Sequence, residues 1–191
     1  MTDSNKPAAR TFRRRTIVVL LCTTCVLTAA WGYQWMYPYD SKCCIVPCLW
    51  IGLLSYAANN EDSFPDDPSG TLAALSKLYP DYFKQGDEYV LAGLSGDIDE
   101  TRRSLGNAEG LNSKGSSWVY QPGLKLKDDP RTALVWEREF GIFPNGRRDF
   151  KRRRVVLLVN GETKFIPEAE WEAFERQQNG LKSAQRKAEP E

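Results

Sequence analysis

The longest apolar stretch of the chain lies close to its N-terminus. Between Thr16 and Met36 the sequence contains no Asp, Glu, Lys or Arg. As an α-helix, this stretch of about 20 residues spans roughly 30 Å, the thickness of a bilayer core. Its C-terminal end is rich in aromatic side chains that suit a headgroup boundary, namely Trp31, Tyr33, Trp35, Tyr37 and Tyr39. The pattern predicts a transmembrane helix over residues 16–37.

Basic residues precede this helix. Residues 1–15 contain one acid, Asp3, against five cations, which are Lys6, Arg10, Arg13, Arg14 and Arg15. Because cytoplasmic flanks of membrane helices carry an excess of Lys and Arg, we expect residues 1–15 to be a cytoplasmic flank. The protein is then a single-pass membrane protein with membrane lipid as a partner and its C-terminal domain outside the cytoplasm. The alternative is a cleaved signal peptide with Thr28-Ala29-Ala30 as its cleavage site, which exports the same domain.

Beyond residue 43 the hydrophobic pattern predicts helices first. Apolar residues from Ile45 to Ala58 recur at helical spacing, so we expect a helix that begins near Pro47. A short second helix is expected over Thr71–Tyr79. Residues 88–117 are rich in Gly, Ser, Asn and Asp, and loops with at most one short strand are expected there.

The last third of the chain predicts an antiparallel sheet and a closing helix. β-branched and aromatic residues are concentrated in three segments, 117–120, 133–136 and 154–159. Asn160-Gly161 predicts a hairpin over Val155–Phe165, with positive φ at both turn residues. The fold class is therefore α+β: a transmembrane helix, then a small helix-plus-antiparallel-sheet domain with a C-terminal helix.

The closing helix is predicted to start at Pro167 and to end before Gly180. Trp171 and Phe174 lie three residues apart, so they share the face expected to pack on the sheet. The acids are expected to face water, and these are Glu168, Glu170 and Glu175. Residues 181–191 are expected to form a disordered charged tail.

The composition argues against several classes of site. The 191 residues include 26 Lys and Arg against 25 Asp and Glu, so nucleic acid is not an expected partner. Histidine is absent, which removes the commonest general base and the commonest transition-metal ligand. A nucleophile elbow, a phosphate loop, a dinucleotide fingerprint and zinc-site spacing are also missing from the sequence. We expect a protein that is not an enzyme, with no catalytic, cofactor-binding or metal-binding residues.

The five cysteines fit an exported protein. Cys22 and Cys25 lie in the apolar stretch, where a thiol behaves as a small hydrophobic group. In an oxidising compartment two of Cys43, Cys44 and Cys48 are able to pair. The pairing stays open, although a bond between the adjacent Cys43 and Cys44 would close a strained ring.

Charged clusters supply the candidate binding residues. The densest basic run comprises Arg147, Arg148, Lys151, Arg152, Arg153 and Arg154. Such a run suits an anionic lipid, a phosphate or a nucleic-acid contact, or it forms a mobile basic loop between two strands. Among the acids, Glu137 and Glu139 share one face of a predicted strand, and we expect a solvated edge next to Arg138.

The order of several sequence blocks resembles one family. CLWIGLLSYAANNEDSFP, LSKLYPDYF, SSWVY, TALVWERE and VVLLVNGETKFIPEAEWEAF follow one another between Cys48 and Phe174. In order and spacing they are similar to the pseudopilin-like proteins of type II secretion, in the branch with a C-terminal His, nine-residue gap, Asp-Gly signature. The resemblance implies a pseudopilin-like extracytoplasmic domain over residues 43–180. It also implies a structural or assembly role in the cell envelope, with other envelope or secretion proteins as partners.

The chain departs from that family at diagnostic positions. The signature's His falls on Phe150 and its Asp on Asn160, which removes the polar pair. The Gly-Phe cleavage site of prepilins is replaced by Thr11-Phe12, and the Glu at the fifth mature position by Thr16. The resemblance therefore implies the fold more than filament assembly. The alternative function is an envelope binding module that uses the basic segment 147–154 to hold an anionic ligand or lipid.

Overall fold

The structure is a computed structural model that describes residues 6–39 and 44–188, with side chains over 16–39 and 44–183. The chain divides into two units, with the boundary between Pro38 and Tyr39. The first contains the long helix α1 (Lys6–Met36). The second contains five further helices and a four-stranded sheet.

Helix α1 is apolar over most of its length. Its window Thr16–Met36 is long and apolar enough to cross a membrane by length and composition, and none of it is buried. Thr23 and Thr24 donate their hydroxyls to the carbonyls of residues 19 and 20, each at 2.9 Å. These bonds within the helix satisfy both hydroxyls without water, which suits an apolar environment. The helix is consistent with membrane anchoring.

The second unit confirms the predicted α+β class. Its helices are α2 (Ile45–Ala58), α3 (Thr71–Ser76), α4 (Glu88–Ala92), α5 (Ile98–Gly106) and α6 (Trp171–Ala188). Its strands are β1 (Trp118–Tyr120), β2 (Ala133–Glu137), β3 (Arg153–Leu158) and β4 (Thr163–Pro167). The strands lie in the order β1-β2-β3-β4, and every neighbouring pair is antiparallel.

Both faces of the sheet are covered. On one face the larger core joins the sheet to α2–α5, with Leu53, Leu91 and Trp118 among its buried residues. On the other face Ala133, Val156, Leu158 and Trp171 form a smaller cluster beneath α6. A register shift between Ala133 and Val135 lets these two residues of β2 serve different faces.

Residues 88–117 differ from the prediction of loops, because α4 and α5 lie there. Asp97 caps α5 by accepting hydrogen bonds from the backbone N–H groups of Asp99 (3.0 Å) and Glu100 (3.1 Å). The buried face of α5 consists of Thr101, Ser104 and Leu105. Only two of its nine residues, Ile98 and Leu105, are large and apolar, so the segment does not stand out as a hydrophobic stretch in the sequence.

The predicted hairpin is confirmed, but its turn has a different geometry. β3 and β4 pair from Arg153↔Pro167 to Leu157↔Thr163. Leu158 accepts from the N–H of Gly161 at 2.9 Å and donates to the carbonyl of Glu162 at 2.9 Å. Only Gly161 of the two turn residues has positive φ, at 82°. This is a three-residue loop with a glycine bulge in place of the predicted two-residue turn.

Four helix boundaries of the second unit differ from prediction, and one of them is the start of the closing helix: α6 begins at Trp171, after a 3₁₀ turn over Glu168–Glu170, and not at Pro167. α2 begins at Ile45, ahead of Pro47, and α3 ends at Ser76. α6 continues through Gly180 to Ala188, where a disordered tail was expected from residue 181. Good helix formers follow Gly180, and one glycine in an exposed helix costs only about 1 kcal/mol. Residues 189–191 lie outside the described residues.

The cysteine predictions are only partly within the described residues. Cys43 lies outside them. Cys48 is a half-buried free thiol, and Cys22 and Cys25 are free thiols on α1.

Candidate functional site

The six predicted anion-contact residues lie in and beside the connection from β2 to β3. We call residues 141–152 the basic loop. Its base is closed by hydrogen bonds from Gly141 N–H to the carbonyl of Arg153 (3.0 Å) and from Asp149 N–H to the carbonyl of Gly141 (2.8 Å). Near the tip, Phe143 N–H donates to the carbonyl of Arg147 at 2.8 Å. The backbone of the loop is therefore held by its own hydrogen bonds.

Two arginines at the base of the basic loop have acidic partners. Arg152 donates from Nη2 to Oε1 of Glu168 at 3.0 Å, and this pair joins the loop to the start of the closing helix. Arg153 donates from Nε to Oδ2 of the buried Asp149 at 2.8 Å. Its guanidinium carbon also lies 5.2 Å from the ring centre of Phe143. Arg153 lowers the pKa of Asp149, against the raising effect of burial.

Arg154 lies between two aromatic rings. Its guanidinium carbon is 3.9 Å from the ring centre of Phe140 and 3.9 Å from that of Trp171. Burial lowers the pKa of Arg154, although Glu175 and other nearby acids oppose that shift. Its Nε is buried without a hydrogen-bond acceptor among the described residues. Arg154 therefore serves the packing of β3 against α6 through cation–π contacts.

The structure thus separates the predicted basic cluster into two groups. Arg152, Arg153 and Arg154 are bound to acids or aromatic rings, as described above. Arg147 and Lys151 have exposed side chains, while Arg148 is half-buried. Phe150, between them in sequence, is 60% exposed. The exposed part of the basic loop therefore contains the cations of Arg147 and Lys151, the partly accessible Arg148 and one large apolar ring. This positive surface is smaller than the six basic residues in the sequence suggest.

Glu137 is a buried carboxylate, so the prediction that it lies on a solvated edge is wrong. The residue is 0% exposed, whereas Glu139 is exposed as predicted. Alternation along β2 puts Glu137 on the same face as Val135, which is also buried. That shared face was the signal in the sequence, but the helical layer that covers it was not predicted because α4 and α5 were missed.

Both oxygens of the Glu137 carboxylate accept hydrogen bonds. Oε1 accepts from the hydroxyl of Ser95 at 2.6 Å. Oε2 accepts from the backbone N–H of Leu94 at 3.0 Å and from the hydroxyl of Ser117 at 2.9 Å. Burial raises the pKa of Glu137, and these hydrogen bonds act in the opposite direction. The carboxylate joins the end of β2 to the α4–α5 connection and to the residue before β1.

The chemistry of this network is that of a structural crosslink. Ser117 Oγ also lies 3.2 Å from the carbonyl of Ala92, so its hydroxyl is held between two acceptors. The chain contains no histidine that could act as a base for either serine. Within residues 16–39 and 44–183, no group of three His, Cys, Asp or Glu side chains is arranged to hold a metal ion.

Comparisons with known proteins give no relative from which a role could be transferred. No family model, no curated protein and no solved structure matches this chain. The resemblance to pseudopilin-like proteins stays a prediction from the order of the sequence blocks.

Proposed function

We propose that this chain is a membrane-anchored structural or assembly protein of the cell envelope, and that its extracytoplasmic domain binds partners without catalysing a reaction. The main observation in support of the proposal is the segment Thr16–Met36 of α1, which is apolar and not buried by the rest of the described chain. The chain continues from it into a second unit that has its own closed core.

The physical support for anchoring is the cost of leaving α1 in water. Ile17, Leu20 and Leu27 are 52%, 61% and 64% exposed, and neighbouring apolar residues are similar. Exposed apolar surface costs about 25 cal/mol per Å², so a helix with this surface is stable when hydrocarbon covers it. Trp31, 73% exposed near the C-terminal end, suits the interface between hydrocarbon and headgroups. The arginines before Thr16 favour a cytoplasmic N-terminus.

A link to type II secretion is the finer part of this proposal. It rests on the order of the sequence blocks between Cys48 and Phe174, together with an α+β domain that follows an apolar N-terminal helix. The prepilin cleavage residues are replaced in this chain. This favours an accessory protein of a filament or secretion assembly, and it argues against a subunit within the filament itself. Candidate partners are therefore other envelope proteins.

Fractionation tests the anchoring. The full chain with a C-terminal tag is expected to remain in the membrane pellet after an alkaline carbonate wash. Protease added outside the cytoplasmic membrane is expected to remove the tag. As a control, a Leu20→Arg, Leu21→Arg double variant places two cations in the apolar window. Each arginine at the centre of a membrane helix raises the free energy of insertion by about 2.5 to 3.5 kcal/mol, so this variant is expected to be held less firmly in the membrane. Release of the unaltered chain by carbonate, or a tag that stays protected, would contradict the proposal.

A second candidate function is contact with anionic lipid through the basic loop. Arg147 and Lys151 are exposed there, and Phe150, whose ring is also exposed, lies between them in the sequence. Each cation near an anionic surface contributes about 1 kcal/mol, and the contribution falls as salt screens it. Full chain in nanodiscs is expected to bind phosphatidylglycerol vesicles at low salt, and an Arg147→Gln, Lys151→Gln variant to bind less. Equal binding by both proteins at every salt concentration argues against this function.

A further inference from the structure

Beside α6 the sheet carries a pocket that the proposed function does not use. The pocket has a volume of 270 Å³. We call it the aromatic pocket, because three of its lining residues are Trp136, Trp171 and Phe174. It is lined by residues of α6 together with Gln121, Ala133 and Trp136, on the sheet face opposite the larger core.

The aromatic walls differ in how much of each ring is accessible. Trp171 is buried, and Arg154 already lies 3.9 Å from its ring centre. Trp136 and Phe174 are only half-buried, so part of each ring remains open to a ligand. The ring centres of Trp136 and Trp171 are 6.5 Å apart with planes at 50°, and those of Trp171 and Phe174 are 5.4 Å apart. The three rings therefore form one continuous apolar surface of the pocket, with the planes of neighbouring rings tilted relative to each other.

Polar groups converge on the same space. Gln121 lines the pocket, and its Oε1 is buried without a hydrogen-bond donor among the described residues. Gln178, also in the lining, is used differently: its Oε1 accepts from Ala133 N–H at 2.8 Å and its Nε2 donates to the carbonyl of Arg131 at 3.2 Å. A buried acceptor without a donor costs about 1–3 kcal/mol. Because Oε1 is closed off from water-sized groups in this conformation, a ligand hydroxyl relieves the cost after the Gln121 amide turns toward the pocket about its soft terminal torsion.

The charges of the lining favour a neutral ligand. Glu175 and Lys182 both line the pocket, so its acid and its base offset each other. An anion would be repelled by Glu175. A quaternary ammonium group requires open aromatic faces, but the Arg154 guanidinium already lies against Trp171 and Lys182 adds a second positive charge. Gln121 and Asn179 supply amide groups that hydrogen-bond hydroxyls.

We propose that the aromatic pocket binds a neutral sugar ring of a glycan. One face of such a ring carries C–H groups that stack on an aromatic side chain, whose π-face is electronegative. Its hydroxyls donate to the carboxylate of Glu175 and, once the Gln121 amide has turned toward the pocket, to Oε1 of Gln121, and they accept from the amide of Asn179. The volume lies just below the range of about 300–1,000 Å³ for drug-sized ligands, which fits one or two ring units. The proposal does not depend on α1 or on an assembly role.

Saturation-transfer NMR on the full chain in nanodiscs tests the pocket. The probes are four neutral tetrasaccharides, namely chitotetraose, cellotetraose, maltotetraose and mannotetraose, with tetraethylene glycol as the non-sugar control. At least one sugar is expected to give saturable transfer to its ring C–H protons with a Kd below about 10 mM. Tetraethylene glycol is expected to give none.

Two substitutions and one matched control locate the binding. Trp136→Leu removes the accessible ring, and Gln121→Leu removes the buried acceptor in a side chain of similar size. Each is expected to weaken sugar binding by about tenfold or more. Phe150→Leu removes an exposed aromatic ring outside the pocket and is expected to leave the Kd unchanged. Near-UV circular dichroism confirms that each variant is folded, and Gln121→Met, which also lacks the amide oxygen, replaces Gln121→Leu if the latter is not.

Three results overturn the proposal. The first is that none of the four sugars saturates below about 10 mM. The second is that folded Trp136→Leu binds sugar as tightly as the unaltered chain. The third is tighter binding of phenylpropyl-trimethylammonium than of any sugar, which would assign the aromatic pocket to a cationic ligand instead.

Discussion

At the scale of single residues, Glu137 and Gly161 both connect the sheet to the helical layer. Glu137, at the end of β2, accepts hydrogen bonds from Leu94 and Ser95 in the connection between α4 and α5. Gly161, in the hairpin turn, lies against the indole ring of Trp50 on α2. In each case a property of one residue, a buried charge or a missing Cβ, fixes a contact between distant parts of the chain.

Burial of Glu137 predicts a pH dependence of stability. Its pKa is raised in the folded protein above the value of about 4.3 for an unperturbed Glu, so the folded state binds the proton more tightly than the unfolded state does. The stability that the unaltered chain gains from Glu137, compared with Glu137→Gln, is therefore fully present at pH values below that unfolded pKa. It is lost as the pH rises through the raised folded pKa. Urea unfolding of the full chain in detergent, at several pH values, measures this difference.

Glu139→Gln is the matched control for that experiment, because Glu139 lies two residues away and is exposed. It is expected to leave the pH profile of unfolding unchanged. The unaltered chain and Glu137→Gln are compared by their free energies of unfolding. If the advantage of the unaltered chain stays constant with pH, or grows as the pH rises, Glu137 does not titrate in this way.

Gly161→Val is expected to destabilise the domain by about 1–3 kcal/mol or more. A β-branched residue resists φ of 82°, and a Cβ at this position would lie 2.6 Å from Cε2 of Trp50. Gly180→Ala is the control, because its position is helical and, among the described residues, no atom beyond its chain neighbours and its own helix backbone lies within 4 Å of an added Cβ. That variant is expected to stabilise by about 0.4–1 kcal/mol. Thermal unfolding compares the two, and equal midpoints would contradict the assignment.

At the scale of elements, the sequence predicted some parts well for identifiable reasons. β3 and β4 were predictable because two apolar runs flank Asn160-Gly161, and α2 because its buried side chains recur at helical spacing. α5 was not, since it is short and mostly polar, and its buried face includes Thr101 and Ser104 in place of apolar residues. The basic run was visible in the sequence, but the partners of Arg153 and Arg154 depend on which strands and helices pack together, which no local pattern reveals.

The closing helix α6 depends on Trp171. The ring of Trp171 contacts Trp136, Phe140 and Phe174, with centre-to-centre distances of 6.5, 5.8 and 5.4 Å, and it stacks with Arg154. Trp171→Ala is expected to destabilise the domain by about 3–5 kcal/mol, because it leaves a cavity and removes one of the two rings that hold the half-buried Arg154 guanidinium. Thermal unfolding followed by near-UV circular dichroism measures the loss. Trp31→Ala, an exposed position on α1, is the control and is expected to leave the midpoint unchanged.

At the scale of the whole molecule, the two units have different physical requirements. The surface of α1 is stable in hydrocarbon, whereas the second unit buries its own core on both faces of the sheet. The division between the two units lies between Pro38 and Tyr39, within the aromatic residues that follow the apolar stretch. Whether a peptidase removes any of the segment before Thr16 decides how the anchor is used, and the sequence makes a definite prediction on this point.

We expect the basic flank to be retained. A prepilin peptidase would cut before Phe12, but its substrates present Gly before the cut, and Thr11 stands there. The fifth-position Glu pairs with a neighbour's terminal amine inside the bilayer, where an unpaired charge is costly, and Thr16 is unable to make that pair. Arg13, Arg14 and Arg15 would also enter the apolar core of a filament, at about 2.5 to 3.5 kcal/mol for each at the centre of a helix.

Intact-mass analysis of the membrane-extracted chain tests this expectation. A mass that includes Arg13–Arg15 together with residues before Phe12 is expected, because the flank then stays in water on the cytoplasmic side. As a control, a Thr11→Gly, Thr16→Glu variant restores both prepilin residues and is offered to the same peptidase, which is expected to cut it before Phe12. A chain that begins at methylated Phe12 without these substitutions would contradict the prediction, and it would make this protein a filament subunit. A chain that begins after Ala30 would instead identify the N-terminal segment as a signal peptide.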